Sequence, residues 1–173
     1  MRRLMLLRHA KTEQAEPGQR DRDRRLIKRG RNDAEILARY MACHDLIPDL
    51  ALVSPARRAQ ETWELIASGL KKAPRHIDDD RIYGAAPDGL IRLIGETRAA
   101  RLLLVIGHNP GLHEVALQLI ASGDVAMRGH LSEKLPTSGL VVIDFAFDAW
   151  TKLHPQSGRI ERFVTPRILD VAD

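Results

Sequence analysis

The sequence predicts one three-layer α/β/α domain spanning residues 1–173 around a mainly parallel sheet, and three observations lead there. Short apolar runs alternate with stretches whose apolar residues recur at helical spacing, which is the alternation of a parallel α/β fold. The run 102–106, Leu-Leu-Leu-Val-Ile, is apolar without interruption, as expected of a strand covered on both faces. A length of 173 residues suits one domain and is short for two, and no repeat, low-complexity tract or linker divides it.

The elements follow in chain order. Residues 4–7 form a compact apolar run, a short buried strand closed by Arg8 and His9. After a basic loop and Gly30, the apolar positions of residues 33–41 recur at helical spacing. Residues 50–53 are a second apolar run, closed by Ser54 and Pro55. Residues 59–70 read as a helix with Trp63, Ile66 and Leu70 on one face, and Pro87-Asp88-Gly89 opens a third helix through Leu90, Leu93 and Ile94. The strand 102–106 is broken by Gly107-His108-Asn109-Pro110-Gly111, and 112–120 reads as helix. Residues 140–145 are a late strand, and 159–164 an edge strand.

Composition narrows the classes of function. Hydrophobic residues at 44% against 29% charged ones give the balance of a soluble globular protein. No apolar run approaches the roughly 18 residues a membrane span needs, so no membrane partner is expected. The start, Met1-Arg2-Arg3-Leu4-Met5-Leu6-Leu7, is cut by Arg8 and His9 before it could serve as a signal peptide, which leaves the cytoplasm as the expected location. A lone cysteine, Cys43, excludes an internal disulfide and a cysteine-based metal site. The net charge of +4 raises the question of nucleic acid. The densest basic run, 20–31, is interrupted by Asp21 and Asp23 and carries no aromatic side chains for stacking, so no nucleic-acid partner is expected. The positive charge suits an anionic substrate instead.

The chemistry concentrates at strand ends. In open α/β sheets ligands bind beyond the carboxyl ends of the strands. Three apolar runs here end in Arg8-His9, in Ser54-Pro55-Ala56-Arg57-Arg58 and in Gly107-His108. Two imidazoles and at least one guanidinium from distant segments would therefore meet at one sheet edge. Guanidinium forks match phosphate oxygens, and a neutral imidazole can attack phosphorus.

Leu7-Arg8-His9-Ala10-Lys11-Thr12 resembles the signature of the histidine phosphatase (phosphoglycerate mutase-like) superfamily. Ser54-Pro55, Arg58-Ala59 and Glu61-Thr62 resemble its second motif, and Val105-Ile106-Gly107-His108-Asn109-Pro110 its third. Ala10 in place of glycine is one of three features that resemble the compact SixA-type phosphohistidine phosphatases. The others are the run from Asp23 through Leu26 to Gly30 and the segment Pro136-Thr137-Ser138-Gly139. The resemblance implies His9 as nucleophile, with Arg8, Arg58 and protonated His108 holding the phosphoryl oxygens. It implies a phosphate-bearing substrate, in the SixA branch a histidine-phosphorylated protein, with small phosphomonoesters or sugar phosphates as the alternative. A phosphate-binding module with little turnover is a third reading, which the intact nucleophile argues against. The attacking nitrogen must be unprotonated, so the other His9 nitrogen should donate to a backbone carbonyl. Asp80, in the Asp78-Asp79-Asp80 run between the second and third motifs, is the candidate general acid, and SixA-type enzymes are thought to lack one. Asn109, Lys11, Thr12 and His113 are the candidate substrate-binding residues, Asn109 through its backbone amide at a helix start.

No cofactor and no metal is expected, because no paired carboxylates or cysteines lie at metal-ligand spacing around the motifs and cationic side chains take the role. Turnover is therefore expected to survive excess chelator. Loss on chelation with recovery on adding a divalent ion would refute the expectation.

Overall fold

In the computed structural model, which describes residues 1–98 and 100–171, one seven-stranded sheet is covered by helices on both faces. The strands are β1 (Arg2–Arg8), β2 (Leu50–Val53), β3 (Arg75–Asp78), β4 (Leu102–Gly107), β5 (Ile120–Gly123), β6 (Leu140–Phe145) and β7 (Gly158–Val164). The helices are α1 (Lys28–Cys43), α2 (Arg57–Gly69), α3 (Pro87–Glu96), α4 (Gly111–Leu119), α5 (Val125–Glu133) and α6 (Pro166–Val171). The strand order is β3-β2-β4-β1-β6-β7-β5. Only β6 runs against its neighbours; β1 pairs in parallel with β4, and β5 in parallel with β7.

The unbroken apolar runs follow from two-sided burial, because side chains alternate between faces of a strand. Leu4 and Leu6 of β1, Leu103 and Val105 of β4, and Val141 and Ile143 of β6 enter one core, beneath α3 and α4. Met5 and Leu7, Leu104 and Ile106, Leu140 and Val142 enter the other, beneath α1 and α2. In β1, β4 and β6 neither parity has a wet face, so polar residues are tolerated only towards the strand ends. Trp63 and Trp150 are buried packing residues, and the Trp150 indole donates to the Ala100 carbonyl at 2.7 Å.

The structure departs from the sequence expectation at several points. Residues 159–164 are not at an edge: β7 lies between β6 and β5, and the edges are β3 and β5. Those edge strands are short and unpatterned, Arg-His-Ile-Asp with all four residues exposed and Ile-Ala-Ser-Gly with two exposed, so periodicity could not find them. The helix expected over 112–120 stops at Leu119 because Ile120 leaves it to pair with β7. Finally, α1 begins at Lys28, upstream of Gly30, and the glycine lies inside the helix.

That glycine sets a contact next to the first motif. A β-carbon at Gly30 would collide with the backbone of Lys11, whose carbonyl also accepts the Ile27 amide at 3.1 Å. The first turn of α1 therefore presses on the loop that follows His9. Gly30→Ala gains about 1 kcal/mol of helix propensity, yet overpacking against backbone costs about 1–3 kcal/mol. The variant is expected to be less stable in urea denaturation, and a rise in stability would show that the Lys11 segment yields freely.

Candidate active site

Parallel pairing brings the three motifs to one level. The register of β1 on β4 ends with Arg8 opposite Gly107, and that of β2 on β4 with Val53 opposite Ile106. The next residues of the three chains are His9, His108 and Ser54. The backbone ladder continues through them, with His9 N–H donating to the Gly107 carbonyl at 3.2 Å and Ser54 N–H to the Ile106 carbonyl at 3.0 Å. The two imidazole rings lie 5.3 Å apart between centroids, within the grip of one phosphoryl group. Ser138, from the turn before β6, joins the edge as a fourth segment, its N–H shared between the Arg8 and His9 carbonyls at 3.0 and 3.2 Å.

His9 is buried, and its Nδ1 donates to the Ala10 carbonyl at 2.8 Å. A carbonyl only accepts, so the proton sits on Nδ1 and the lone pair on Nε2. Burial, opposed by that hydrogen bond and reinforced by His108 and the two arginines, pushes its pKa down to about 3. His108 is lowered to about 4, by burial first and then by Arg58. Its Nε2 lies 2.6 Å from Ser54 Oγ. The serine oxygen also accepts from the Ala56 N–H, and its hydroxyl can either donate to Nε2 of the neutral ring or accept from Nε2–H once the ring is protonated. The protonated His108 expected from sequence thus requires a negative charge beside it, which a phosphoryl dianion supplies.

Arg58 stands in the first turn of α2 and is buried. Its Nη1 and Nη2 donate to the Asp21 carbonyl and carboxylate at 2.8 and 3.0 Å. Arg8 Nη1 and Asn109 Nδ2 share the Leu135 carbonyl at 3.1 and 2.8 Å. Among the described residues, Nε of Arg8, Nε of Arg58 and Nδ1 of His108 are buried without a partner. Buried donors rarely go unpaired, since each costs about 1–3 kcal/mol. The edge therefore offers unspent donors on Arg8 and Arg58 and an unpartnered ring nitrogen on His108, close enough to act on a neutral imidazole nucleophile. That arrangement can bind a tetrahedral oxyanion and attack its central atom.

Sequence reading missed the residues that hold this edge together. Asp21 accepts from Arg58, from Arg24 Nε at 3.0 Å and from the Tyr83 hydroxyl at 2.5 Å, and these bonds, the tyrosine's first, hold its carboxyl down to about 2. Tyr83 meets the His108 ring edge-on at 5.5 Å. Thr62 Oγ1 accepts the Ala10 N–H at 3.0 Å and donates to the Arg58 carbonyl at 2.7 Å, tying the nucleophile loop to the arginine helix. Short polar residues inside a basic run gave no signal for the first of these. Thr62 stood within the second motif, but only the fold shows its reach.

The other candidates lie around the edge. Asp80 opens a 3-10 turn, is largely solvent-exposed, and lies 3.7 Å from Arg22. Thr12 bridges to Leu26 and its hydroxyl accepts from Arg24 at 3.2 Å, which closes the basic loop. Lys11 is exposed and lines a neighbouring cavity. His113 Nε2 bonds the Leu131 carbonyl at 2.6 Å, holding α4 to α5. Asn109 stands two residues before α4, beside His108. Among the described residues no group of three or more His, Cys, Asp or Glu side chains could hold a metal ion, and no helix is long and apolar enough to cross a membrane.

Residues 4–81 match the histidine phosphatase superfamily, branch 1. An uncharacterized protein of Mycobacterium tuberculosis is 34% identical over 164 residues, covering 93% of this chain and all of the relative. The chain belongs to the histidine phosphatase superfamily. Among solved structures, a proposed phosphohistidine phosphatase SixA of Agrobacterium tumefaciens superposes on this histidine phosphatase with a TM-score of 0.79 at 30% identity, over 95% of this chain and 98% of the other. A SixA protein histidine phosphatase bound to tungstate shares the fold at TM-score 0.70 and 19% identity, over 96% of this chain and 99% of the other.

The lowered histidine pKa values tie the phosphatase edge to acid stability. Both folded values lie below the unfolded value of about 6.5, so the unfolded chain binds more protons in between. Their contribution is complete above about pH 6.5 and is lost as the pH falls towards 4 for His108 and 3 for His9. Each histidine adds a slope of up to about 1.4 kcal/mol per pH unit. Urea denaturation at pH 7 and pH 5 is expected to show a steeper loss in the wild type than in the His9→Asn, His108→Asn double variant; equal slopes would contradict the assigned desolvation.

Proposed function

We propose that this phosphatase hydrolyses phosphohistidine in a protein partner through a phosphohistidine intermediate on His9. The observation that carries the reading is the unpartnered buried nitrogens of Arg8, Arg58 and His108, three residues that act through space on His9, whose Nε2 is unprotonated. In the first displacement Nε2 attacks phosphorus in line, the bond from phosphorus to the substrate nitrogen breaks, and the departing imidazole leaves carrying a proton. In the second, water attacks phosphorus, the bond to His9 Nε2 breaks, and inorganic phosphate is released. Such transfers depend on positioning and charge stabilisation more than on elaborate covalent chemistry. Arg8 and Arg58 hold the equatorial oxygens, and His108 becomes a cation beside the phosphoryl charge.

The carboxylates favour a nitrogen-linked substrate. Asp21, the one bonded to Arg58, is kept ionised by Tyr83 and the arginines and has no proton to give near neutral pH. Asp80 stands in solvent beside Arg22. An alkoxide leaving group needs a proton from the enzyme, whereas the nitrogen of a phosphoramidate can be protonated before it departs. The likeness to SixA of Agrobacterium tumefaciens supports the same choice.

Parallel assays of a phosphohistidine protein and a panel of phosphomonoesters test the substrate class; faster turnover of the esters would overturn it. His9→Ala is expected to abolish turnover with the fold intact, and His108→Ala to slow it by about 10²–10³. Rapid quench with a reactive substrate should trap acid-labile, base-stable phosphate on His9. Label on His108, or normal trapping in His9→Ala, would sink the assignment of the nucleophile.

A further inference from the structure

A cavity of about 370 Å³ opens near the same sheet edge. It is bounded by the start of α1, the end of α5, the Pro136 and Thr137 turn, and the junction of β7 with α6. Because β7 runs parallel to β1, its carboxyl end faces the same way as the end that carries His9. Lys11, two residues beyond the nucleophile, reaches the cavity from one side.

Asp33 lines this cavity with only 9% of its surface exposed. Among the described residues no hydrogen bond or ion pair reaches its carboxylate, although Arg29 and Lys11 are near enough to act on it through space. Burial, helped by the charge of Asp170 on α6, raises its carboxyl above the ordinary value against the pull of Arg29 and Lys11. The side chain is enclosed but its carboxylate oxygens still open to the cavity, so their hydrogen bonds fall to solvent or to a ligand that enters it. Around it, Phe163 gives an apolar wall, while Lys11, Arg29, Lys134 and Arg167 outnumber Asp33 and Glu133 as charges. The lining thus asks for two opposite charges on one ligand. A bare cation would meet the surrounding positive charge, and a bare anion would meet Asp33.

We propose that this cavity is a second binding site, for a small ligand carrying a protonated amine and a carboxylate separated by an apolar stem. The amine donates to Asp33, the stem lies on Phe163, and the carboxylate faces the lysines and arginines. The volume is at the lower end of the range for small-molecule sites and has room for a ligand the size of one amino acid. The site stands independently of which phosphoryl compound His9 accepts.

The test titrates the full chain with 6-aminohexanoate, hexanoate and hexylamine by calorimetry. The amino acid is expected to saturate with a Kd of about 1 mM or tighter, and the two singly charged probes to bind at least about tenfold more weakly. Asp33→Asn should weaken 6-aminohexanoate by about tenfold or more while leaving the melting temperature equal or higher, since no contact among the described residues is lost. Three outcomes overturn the proposal: no saturation by about 10 mM, equal affinity in Asp33→Asn, or a fall of several degrees in its melting temperature, which would make Asp33 a structural residue.

Discussion

The parallel ladder of β1 on β4 runs in register from Arg3 opposite Leu102 to Arg8 opposite Gly107, so both strands end at one level. That pairing sets the distance between His9 and His108 before any side chain chooses a rotamer. A slip of one residue would displace one ring by about 3.3 Å and turn every apolar side chain to the opposite face. Both faces are buried and each parity fits a different helix pair, so the slip is penalised along the whole strand. The large apolar ladder thereby holds the small polar edge in place.

Electrostatics at that edge are those of a dry, cationic site. Burial keeps both imidazoles neutral, and two guanidiniums face them with donors left over. Such an arrangement is unfavourable for the folded chain alone and becomes favourable with an oxyanion, which satisfies the donors and restores the proton on His108. Asp21 prevents the cluster from being more costly still. It takes up both terminal nitrogens of Arg58, through its carbonyl and its carboxylate, and leaves Nε directed elsewhere. The basic run in the sequence is thus largely tethered: Arg24 bonds Asp21, Thr12 and Glu13, and Leu26 bonds Glu61.

Two positions couple this chemistry to the scaffold. Gly30 lets α1 press against the backbone of Lys11, and Thr62 joins the Ala10 amide to the Arg58 carbonyl. Both contacts fall within a few residues of His9. Side chains on one face of a rigid sheet edge, locked by neighbouring helices, are held more closely than side chains on a free loop.

The amino-acid sequence by itself determined the layered α/β plan, the central strands and the three motif residues at their ends. The reason is that strands buried on both faces must be continuously apolar, and a polar residue can follow only where the strand leaves the core. His9 and His108 were legible for that reason, whereas Arg58, inside the first turn of α2, was singled out by the resemblance of its motif to the family's. The tertiary structure decided the edge strands β3 and β5, which bury too little to be patterned, and with them the interior place of β7. It also decided the roles of Asp21, Tyr83, Thr62 and Asp33, because such a polar side chain's role depends on partners distant along the chain, as with Asp21 and Tyr83 at a separation of 62 or Thr62 and Ala10 at 52, and no local pattern records which partner the fold will bring.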